Sequence, residues 1–155
     1  MLWRIAALTV LLGGCASEPS LPVHQETSSR FETGERAAAY ALTMLGKPYH
    51  YGGATPERGF DCSGLIQWSY RQAGWVLPHN TDEQRLMSKP VAESQLRPGD
   101  LLFFNLEEKK NSHVGIYQGD GLFVHAPSTG KDVRRDRLAT PYWKKHLSEM
   151  RRLAL

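Results

Sequence analysis

Cys62 is the residue of this sequence that is best placed to act as a nucleophile. It follows a loop that contains Gly53 and Gly59, and it precedes an apolar helical pattern that ends at Gly74. Asp61 is a good N-cap residue, so the cysteine should occupy the first turn of that helix. Unpaired backbone N–H groups and the positive end of the helix dipole favour a thiolate there. We therefore predict that the pKa of the Cys62 thiol falls from about 8.5 into the range of roughly 3.5–7.5.

Two histidines on neighbouring predicted strands could supply a base and its orienting partner. Residues 118–121 form a hairpin signal between two apolar strands. If the hairpin is centred on Gly119, His113 lies directly across from His125, with Cβ atoms about 4.5–5.5 Å apart, although a β-bulge would shift this register. Cys62 would then attack a carbonyl, His113 would take its proton and His125 would orient the His113 ring. The backbone N–H of Cys62 and a phenol from the preceding loop could stabilise the oxyanion.

The helices that must hold these residues follow from hydrophobic periodicity. An alanine-rich helix is predicted over residues 35–45. Gly52 and Gly53 indicate close backbone approach or positive φ angles beside the cysteine. A short polar helix should begin near Asn80 or Thr81, because either residue could cap it.

The last third of the sequence predicts an antiparallel sheet. From residue 101 onward the apolar period changes to two, which is typical of strands. Residues 141–146 should form a short helix or turn that covers a sheet edge. The predicted strands cover residues 101–105, 113–118, 122–126, a weaker piece near 133, and 150–155.

Length and composition indicate one globular domain with an appendage. The chain has 155 residues, of which 41% are hydrophobic and 23% are charged. A net charge of +3 is too small to indicate nucleic-acid binding, so we expect no nucleic-acid partner. Basic residues crowd the last quarter, where they form either a solvated face or a surface for an acidic polymer. No metal-spaced cysteine pair or phosphate-binding glycine loop occurs, so we expect no metal and no cofactor.

The N-terminal segment resembles a bacterial lipoprotein signal. Residues 1–14 contain an apolar run that is too short to span a bilayer comfortably, and the run ends in the sequence LGGC at residues 12–15. The resemblance implies lipidation of Cys15 and, because Ala16 follows it, an outer-membrane lipoprotein that faces the periplasm of a Gram-negative bacterium. An ordinary cleaved signal is the alternative. Residues 15–31 then read as the lipidated cysteine and a flexible tether.

Residues 32–155 resemble the NlpC-type cell-wall peptidase family. The resemblance rests on an ordered set of motifs: YxYGG at 49–53, GFDCSG at 59–64, RPGDL at 97–101, HVGIY at 113–117 and FVHA at 123–126. It implies an α+β, papain-like fold in which the cysteine helix packs on an antiparallel sheet. It also implies a triad of Cys62, His113 and His125. Tyr49 is the implied oxyanion donor, with Tyr51 as the alternative.

The resemblance extends to a lipoprotein subgroup of murein endopeptidases, which implies peptidoglycan as the substrate. For this subgroup we expect cleavage of the D-alanyl–diaminopimelate cross-link. The alternatives are the γ-D-glutamyl–diaminopimelate bond within one stem, acyl transfer or amidation on the same fold, a Cys–His–His metal site, and a non-catalytic wall-binding lipoprotein. We expect Asp61, Ser63 and His79 to contact the substrate, and Asp61 is the candidate for holding a substrate amine.

Overall fold

The structure is a computed structural model that describes residues 23–154. The predicted signal peptide, Cys15 and the first part of the predicted tether lie outside these residues. Helix α1 spans Val23–Leu42, so the second part of the predicted tether, residues 23–31, is helical rather than irregular. That stretch contains neither proline nor glycine, so its sequence has no residue that would stop the alanine-rich helix from extending toward Pro22.

The described elements form an α+β unit, which confirms the predicted fold class. Strands β3 to β8 make one antiparallel sheet in the order β3–β8–β4–β5–β6–β7, and β1 and β2 form a separate short pair. No helix within residues 23–154 is both long enough and apolar enough to cross a bilayer. After α1 the elements are β1 Ala54–Thr55, β2 Gly59–Phe60, α2 Cys62–Gln72, α3 Thr81–Leu86, β3 Ser88–Pro90, a 3-10 turn Glu93–Gln95, β4 Leu101–Leu106, β5 Lys109–Gly119, β6 Leu122–His125, β7 Arg134–Arg137, α4 Pro141–His146 and β8 Leu147–Leu153.

Helix α2 supplies much of the main core on one face of the sheet. Leu65 and Ile66 of α2 are fully buried in one cluster with Val114 and Ile116 of β5. Burial of an aliphatic side chain of this size stabilises the fold by about 1.5–3 kcal/mol. These contacts fix α2, and with it Cys62 at the helix start, against strand β5.

The opposite face of the sheet is covered by helix α4, so the predicted position at a sheet edge was wrong. Trp143 is 6% exposed, and its ring centroid lies 4.8 Å from that of Phe104 and 5.2 Å from that of Phe123. Strands β4 and β6 that carry these phenylalanines are interior to the sheet. A large aromatic side chain buries more apolar area on such a face than at an edge.

The hairpin of β5 and β6 contains a register shift that the sequence pattern does not show. Ile116 pairs with Val124 and Tyr117 pairs with Phe123, and the register changes before Gly119 pairs with Leu122. The turn residues are Asp120 and Gly121, so the hairpin is not centred on Gly119, and the predicted direct pairing of the two histidines was wrong by two residues. A shift of two preserves the alternation of side chains, so the prediction that both histidines share one face is confirmed.

Candidate active site

Helix α2 begins at Cys62 because Asp61 caps it, as predicted. The Gly64 N–H donates to Asp61 Oδ1 at 2.7 Å, and the Asp61 N–H donates to the Gly53 carbonyl at 3.0 Å. A Cβ atom on Gly64 would collide with the Gly53 carbonyl oxygen, so only glycine lets the helix start lie this close to the loop. The φ angle of Gly52 is +70°. A Cβ atom on Gly53 would collide with the Gly59 carbonyl oxygen, so close approach at Gly53 and positive φ at Gly52 are both confirmed.

The Cys62 thiol lies where α2, α3 and β5 meet. The backbone N–H groups of Val114 and Ser63 and the hydroxyl of Thr81 lie near the sulfur, and each favours the thiolate. Burial of the thiol is the larger effect, and together with the nearby Asp61 carboxylate it raises the pKa of Cys62 above its ordinary value. The predicted lowering of this pKa was therefore wrong. The N–H donors of the helix start are present, but they lower the pKa of Cys62 by less than the loss of water around the sulfur raises it.

His113 on β5 and His125 on β6 form a buried imidazole pair. His113 Nε2 lies 2.9 Å from His125 Nδ1, and the two residues are 4% and 0% exposed. Burial, and then the neighbouring His125, lowers the pKa of His113 to about 3. Burial also lowers the pKa of His125 to about 4, against the opposing effect of Asp136. Both rings are therefore neutral near physiological pH, and His113 directly precedes Val114, which contacts the Cys62 sulfur.

Asp136 and Trp143 complete the surroundings of the imidazole pair, and the sequence analysis identified neither as part of the site. Asp136 Oδ2 lies 3.1 Å from His125 Nε2 and accepts a hydrogen bond from Trp143 Nε1 at 2.9 Å. The Trp143 ring stacks on His113 at 5.9 Å and meets His125 edge-on at 4.9 Å. The alternation of the predicted strand near residue 133 could have indicated Asp136. No local signal indicated Trp143, because its position depends on the docking of α4.

Tyr49, rather than Tyr51, lies beside the thiol. Tyr49 is half-buried and packs with Cys62 against the main core, whereas Tyr51 is 86% exposed. Burial is the main cause that raises the pKa of the Tyr49 phenol, and the proximity of Cys62 and Asp61 adds to it. The phenol is therefore protonated at neutral pH and can donate a hydrogen bond next to the sulfur.

The three residues predicted to contact the substrate form one hydrogen-bonded cluster. His79 Nε2 lies 2.9 Å from Asp61 Oδ1, and the Ser63 hydroxyl donates to the His79 carbonyl at 2.7 Å. The Gly52 N–H donates to Asp61 Oδ2 at 2.9 Å, so this carboxylate holds both the loop and the helix start. The His79 side chain is 33% exposed and Ser63 is 6% exposed. His79 is thus the more accessible of these two side chains, and contact with the substrate stays a prediction for all three residues.

Within residues 23–154, no group of three or more His, Cys, Asp or Glu side chains is arranged to hold a metal ion. A separate cavity of about 330 Å³ lies beside the start of β4. Tyr70, Arg97 and Arg152 are among its lining residues, and neither Cys62 nor either buried histidine lines it. This cavity is therefore distinct from the cysteine–histidine site.

Comparisons with known proteins agree with this geometry. MepS of Escherichia coli (strain K12), a murein DD-endopeptidase and murein LD-carboxypeptidase, is 46% identical over 109 residues, which cover 70% of this chain and 56% of MepS. CwlT of Bacillus subtilis (strain 168), a bifunctional muramidase and DL-endopeptidase, is 42% identical over 115 residues, which cover 73% of this chain and 34% of CwlT. The chain thus spans only part of the length of these curated relatives.

The crystal structure of the NlpC/p60 domain of the peptidoglycan hydrolase SagA has the same fold. Its TM-score with this chain is 0.65 at 31% identity, and the match covers 79% of this chain and 98% of that one. The papain-like arrangement of a cysteine helix on an antiparallel sheet is therefore common to both. Residues 46–152, which include Cys62 and both buried histidines, match the pattern of the NlpC/P60 family, and the chain belongs to that family.

Proposed function

We propose that this chain is a thiol endopeptidase that cleaves peptide bonds of peptidoglycan. The observation that carries the proposal is a cysteine at a helix start, held against the strand that bears a buried, hydrogen-bonded imidazole pair. The activities named for MepS, CwlT and SagA support peptidoglycan as the substrate. An acyltransferase that amidates its substrate could use the same cysteine and histidine, but its product would carry a new amide instead of a free carboxylate.

The reaction begins from an uncharged pair. Cys62 starts as a thiol because its pKa is raised, and His113 starts as a neutral imidazole because its pKa is lowered. The sulfur attacks the carbonyl carbon of the scissile bond while His113 accepts the thiol proton. His125 holds the His113 ring in place through their 2.9 Å hydrogen bond.

Two donors would stabilise the oxyanion that this attack creates. One is the backbone N–H of Cys62, which belongs to the first turn of α2 and has no intrahelical acceptor. The other is the protonated Tyr49 phenol. When the C–N bond breaks, His113 returns its proton to the leaving amine and a thioester remains. Water then gives a proton to His113 and attacks the thioester, which releases the carboxylate and regenerates the thiol.

We propose the D-alanyl–diaminopimelate cross-link as the bond that is cut. The support is the DD-endopeptidase activity named for MepS, whose sequence is 46% identical to this chain over the matched residues. The DL-endopeptidase activity named for CwlT supports the alternative, which is the γ-D-glutamyl–diaminopimelate bond inside one stem. The two bonds give products of different composition, so one digestion separates them.

Digestion of purified cross-linked muropeptide dimers by the full chain is expected to yield monomers whose tetrapeptide stems remain whole. Each cleavage adds one water and creates one free carboxylate, which mass spectrometry detects directly. A Cys62→Ala chain is the control and should leave the dimers intact. Cleavage that instead leaves sugar-linked stems ending in D-glutamate, with the diaminopimelate residues still joined by their cross-link, would move the proposal to the second bond. Products with a new amide would indicate acyl transfer.

We also propose that Cys15 is acylated and anchors the chain to the periplasmic face of the outer membrane of a Gram-negative bacterium. The support is the apolar run of residues 1–14, its LGGC ending and Ala16 after the cysteine. Two or more acyl chains make anchoring effectively stable, because each buried methylene contributes about 0.8 kcal/mol.

Cys15→Ala is expected to abolish incorporation of radiolabelled palmitate and to remove the chain from the outer-membrane fraction. Cys62→Ala is the matched control, because the sequence has only these two cysteines, and it should label as the wild type does. The fractions are compared by immunoblotting and the label by autoradiography. Undiminished labelling of the Cys15→Ala chain would contradict the anchor.

A further inference from the structure

Asp136 extends the line of hydrogen bonds behind the two imidazoles. His125 Nδ1 faces His113 Nε2 at 2.9 Å, and His125 Nε2 faces Asp136 Oδ2 at 3.1 Å. Asp136 lies on β7, where Arg134 pairs with His125 and Asp136 itself pairs with Phe123. A third strand of the sheet thus brings a carboxylate to the ring nitrogen of His125 that points away from His113.

The Asp136 carboxylate is ionised and accepts from several donors. Arg134 donates to Oδ2 from Nε at 3.0 Å and from Nη2 at 2.7 Å, and Trp143 Nε1 donates to the same oxygen at 2.9 Å. Burial works to raise the pKa of Asp136, but the hydrogen bonds from Arg134, His125 and Trp143 outweigh it and hold the pKa below its usual range. An ionised carboxylate can only accept hydrogen bonds, so the proton between the two residues is on His125 Nε2.

This proton fixes the tautomers of both rings. A neutral imidazole carries one N–H, so His125 with its proton on Nε2 presents a lone pair at Nδ1. His113 Nε2 faces that lone pair and must therefore carry the His113 proton. The lone pair of His113 is then on Nδ1, which is the nitrogen left to accept the proton of Cys62.

We propose that Asp136 is a positioning residue that sets, through His125, the ring nitrogen with which His113 acts as the base. The effect of Asp136 on turnover rests on the proposed endopeptidase function, whereas its effect on the tautomers of the two histidines does not. The alternative is that Asp136 only ties Arg134 and Trp143 together, which would fasten β7 to α4. The two roles predict different losses of kcat when the Asp136 carboxylate and its partner Arg134 are removed in separate variants.

The kinetic test compares three variants of the full chain on muropeptide dimers. Asp136→Ala removes the acceptor and is expected to lower kcat by about 10–100-fold while KM changes by less than about threefold. Asp136→Asn should keep kcat within about threefold of wild type, because Arg134 and Trp143 orient the amide oxygen toward His125. Arg134→Gln removes the ion pair but leaves the acceptor, so it should also stay within about threefold.

The tautomer test uses ¹⁵N NMR of the imidazoles in a Cys62→Ala chain, which needs no turnover. Both His113 and His125 are expected to carry their proton on Nε2, and Asp136→Ala in this background should give a mixture of tautomers for both. A proton on His125 Nδ1 with Asp136 intact would overturn the proposal, even if Asp136→Ala did not fold. Unchanged tautomers after Asp136→Ala, or equal losses of kcat in Asp136→Ala and Arg134→Gln, would also overturn it. A chain that cleaved no peptidoglycan but showed these tautomers would refute only the proposed function.

Discussion

Cys62→Ser is expected to leave the fold intact and to lower kcat/KM on cross-linked muropeptides by at least about 1,000-fold. A hydroxyl is far less acidic than a thiol, and burial has already lowered the pKa of His113, so the base cannot remove the serine proton. The smaller hydroxyl can occupy the place of the thiol, near the same backbone N–H groups of Val114 and Ser63. Folding should therefore persist while turnover is lost.

The measurement is the rate of monomer release, with thermal unfolding followed by circular dichroism on the same samples. Cys15→Ser is the matched control, since it makes the same atomic change at the other cysteine. In detergent this control should hydrolyse dimers at the wild-type rate. A loss smaller than about tenfold in Cys62→Ser, with the fold intact, would exclude Cys62 as the nucleophile.

The start of helix α2 is predictable from sequence because its determinants are local. Asp61 caps the helix with its own carboxylate, and Gly64 is required by the carbonyl of Gly53 in the preceding loop. The face shared by His113 and His125 is also predictable, because side-chain alternation survives a register shift of two residues.

The register itself and the acidity of the thiol depend on tertiary structure. The turn lies at Asp120 and Gly121 instead of being centred on Gly119, and a one-residue register shift between Tyr117 and Gly119 changes the pairing of β5 with β6 again. The helix-start argument for Cys62 considered the donors but not the burial created when β5 and α3 close around the sulfur. Alternation along the predicted strand near residue 133 could have indicated the face on which Asp136 lies, but its contact with His125 depends on the pairing of β7 with β6.

The first residue of helix α1 could not be predicted from composition. Serines and the absence of apolar periodicity predicted a flexible tether up to residue 31, yet the helix begins at Val23. Buried alanines such as Ala37, Ala38 and Ala41 hold the later turns against the core. Once those turns are in place, adding a residue to the helix is easier than starting one, so polar residues upstream can join it.

His113→Gln is expected to lower kcat by about 1,000-fold and, at the same time, to make the fold less sensitive to acid. The amide N–H of glutamine can still donate to His125 Nδ1, so the buried acceptor keeps a partner at neutral pH. The amide cannot take the Cys62 proton, so turnover is lost. One substitution should thus separate proton transfer from the packing of the site.

The acid sensitivity follows from the lowered pKa of the buried ring. The unfolded chain binds a proton at His113 near pH 6.5, whereas burial holds the folded value at about 3. Between these values the unfolded state binds more protons, so stability is lost as the pH falls through this window. The slope approaches about 1.4 kcal/mol per pH unit for one histidine. Glutamine at this position should remove that contribution.

Urea unfolding of the wild type and of His113→Gln between about pH 4.5 and about pH 6.5 measures the difference in slope. His50→Gln is the matched control, because it makes the same change at an exposed histidine. Equal slopes for wild type and His113→Gln would mean that His113 is not held neutral by burial. Retained turnover in His113→Gln would place the base elsewhere. Loss of turnover together with a shallower acid slope is the combination expected of a buried, neutral imidazole that acts as the base.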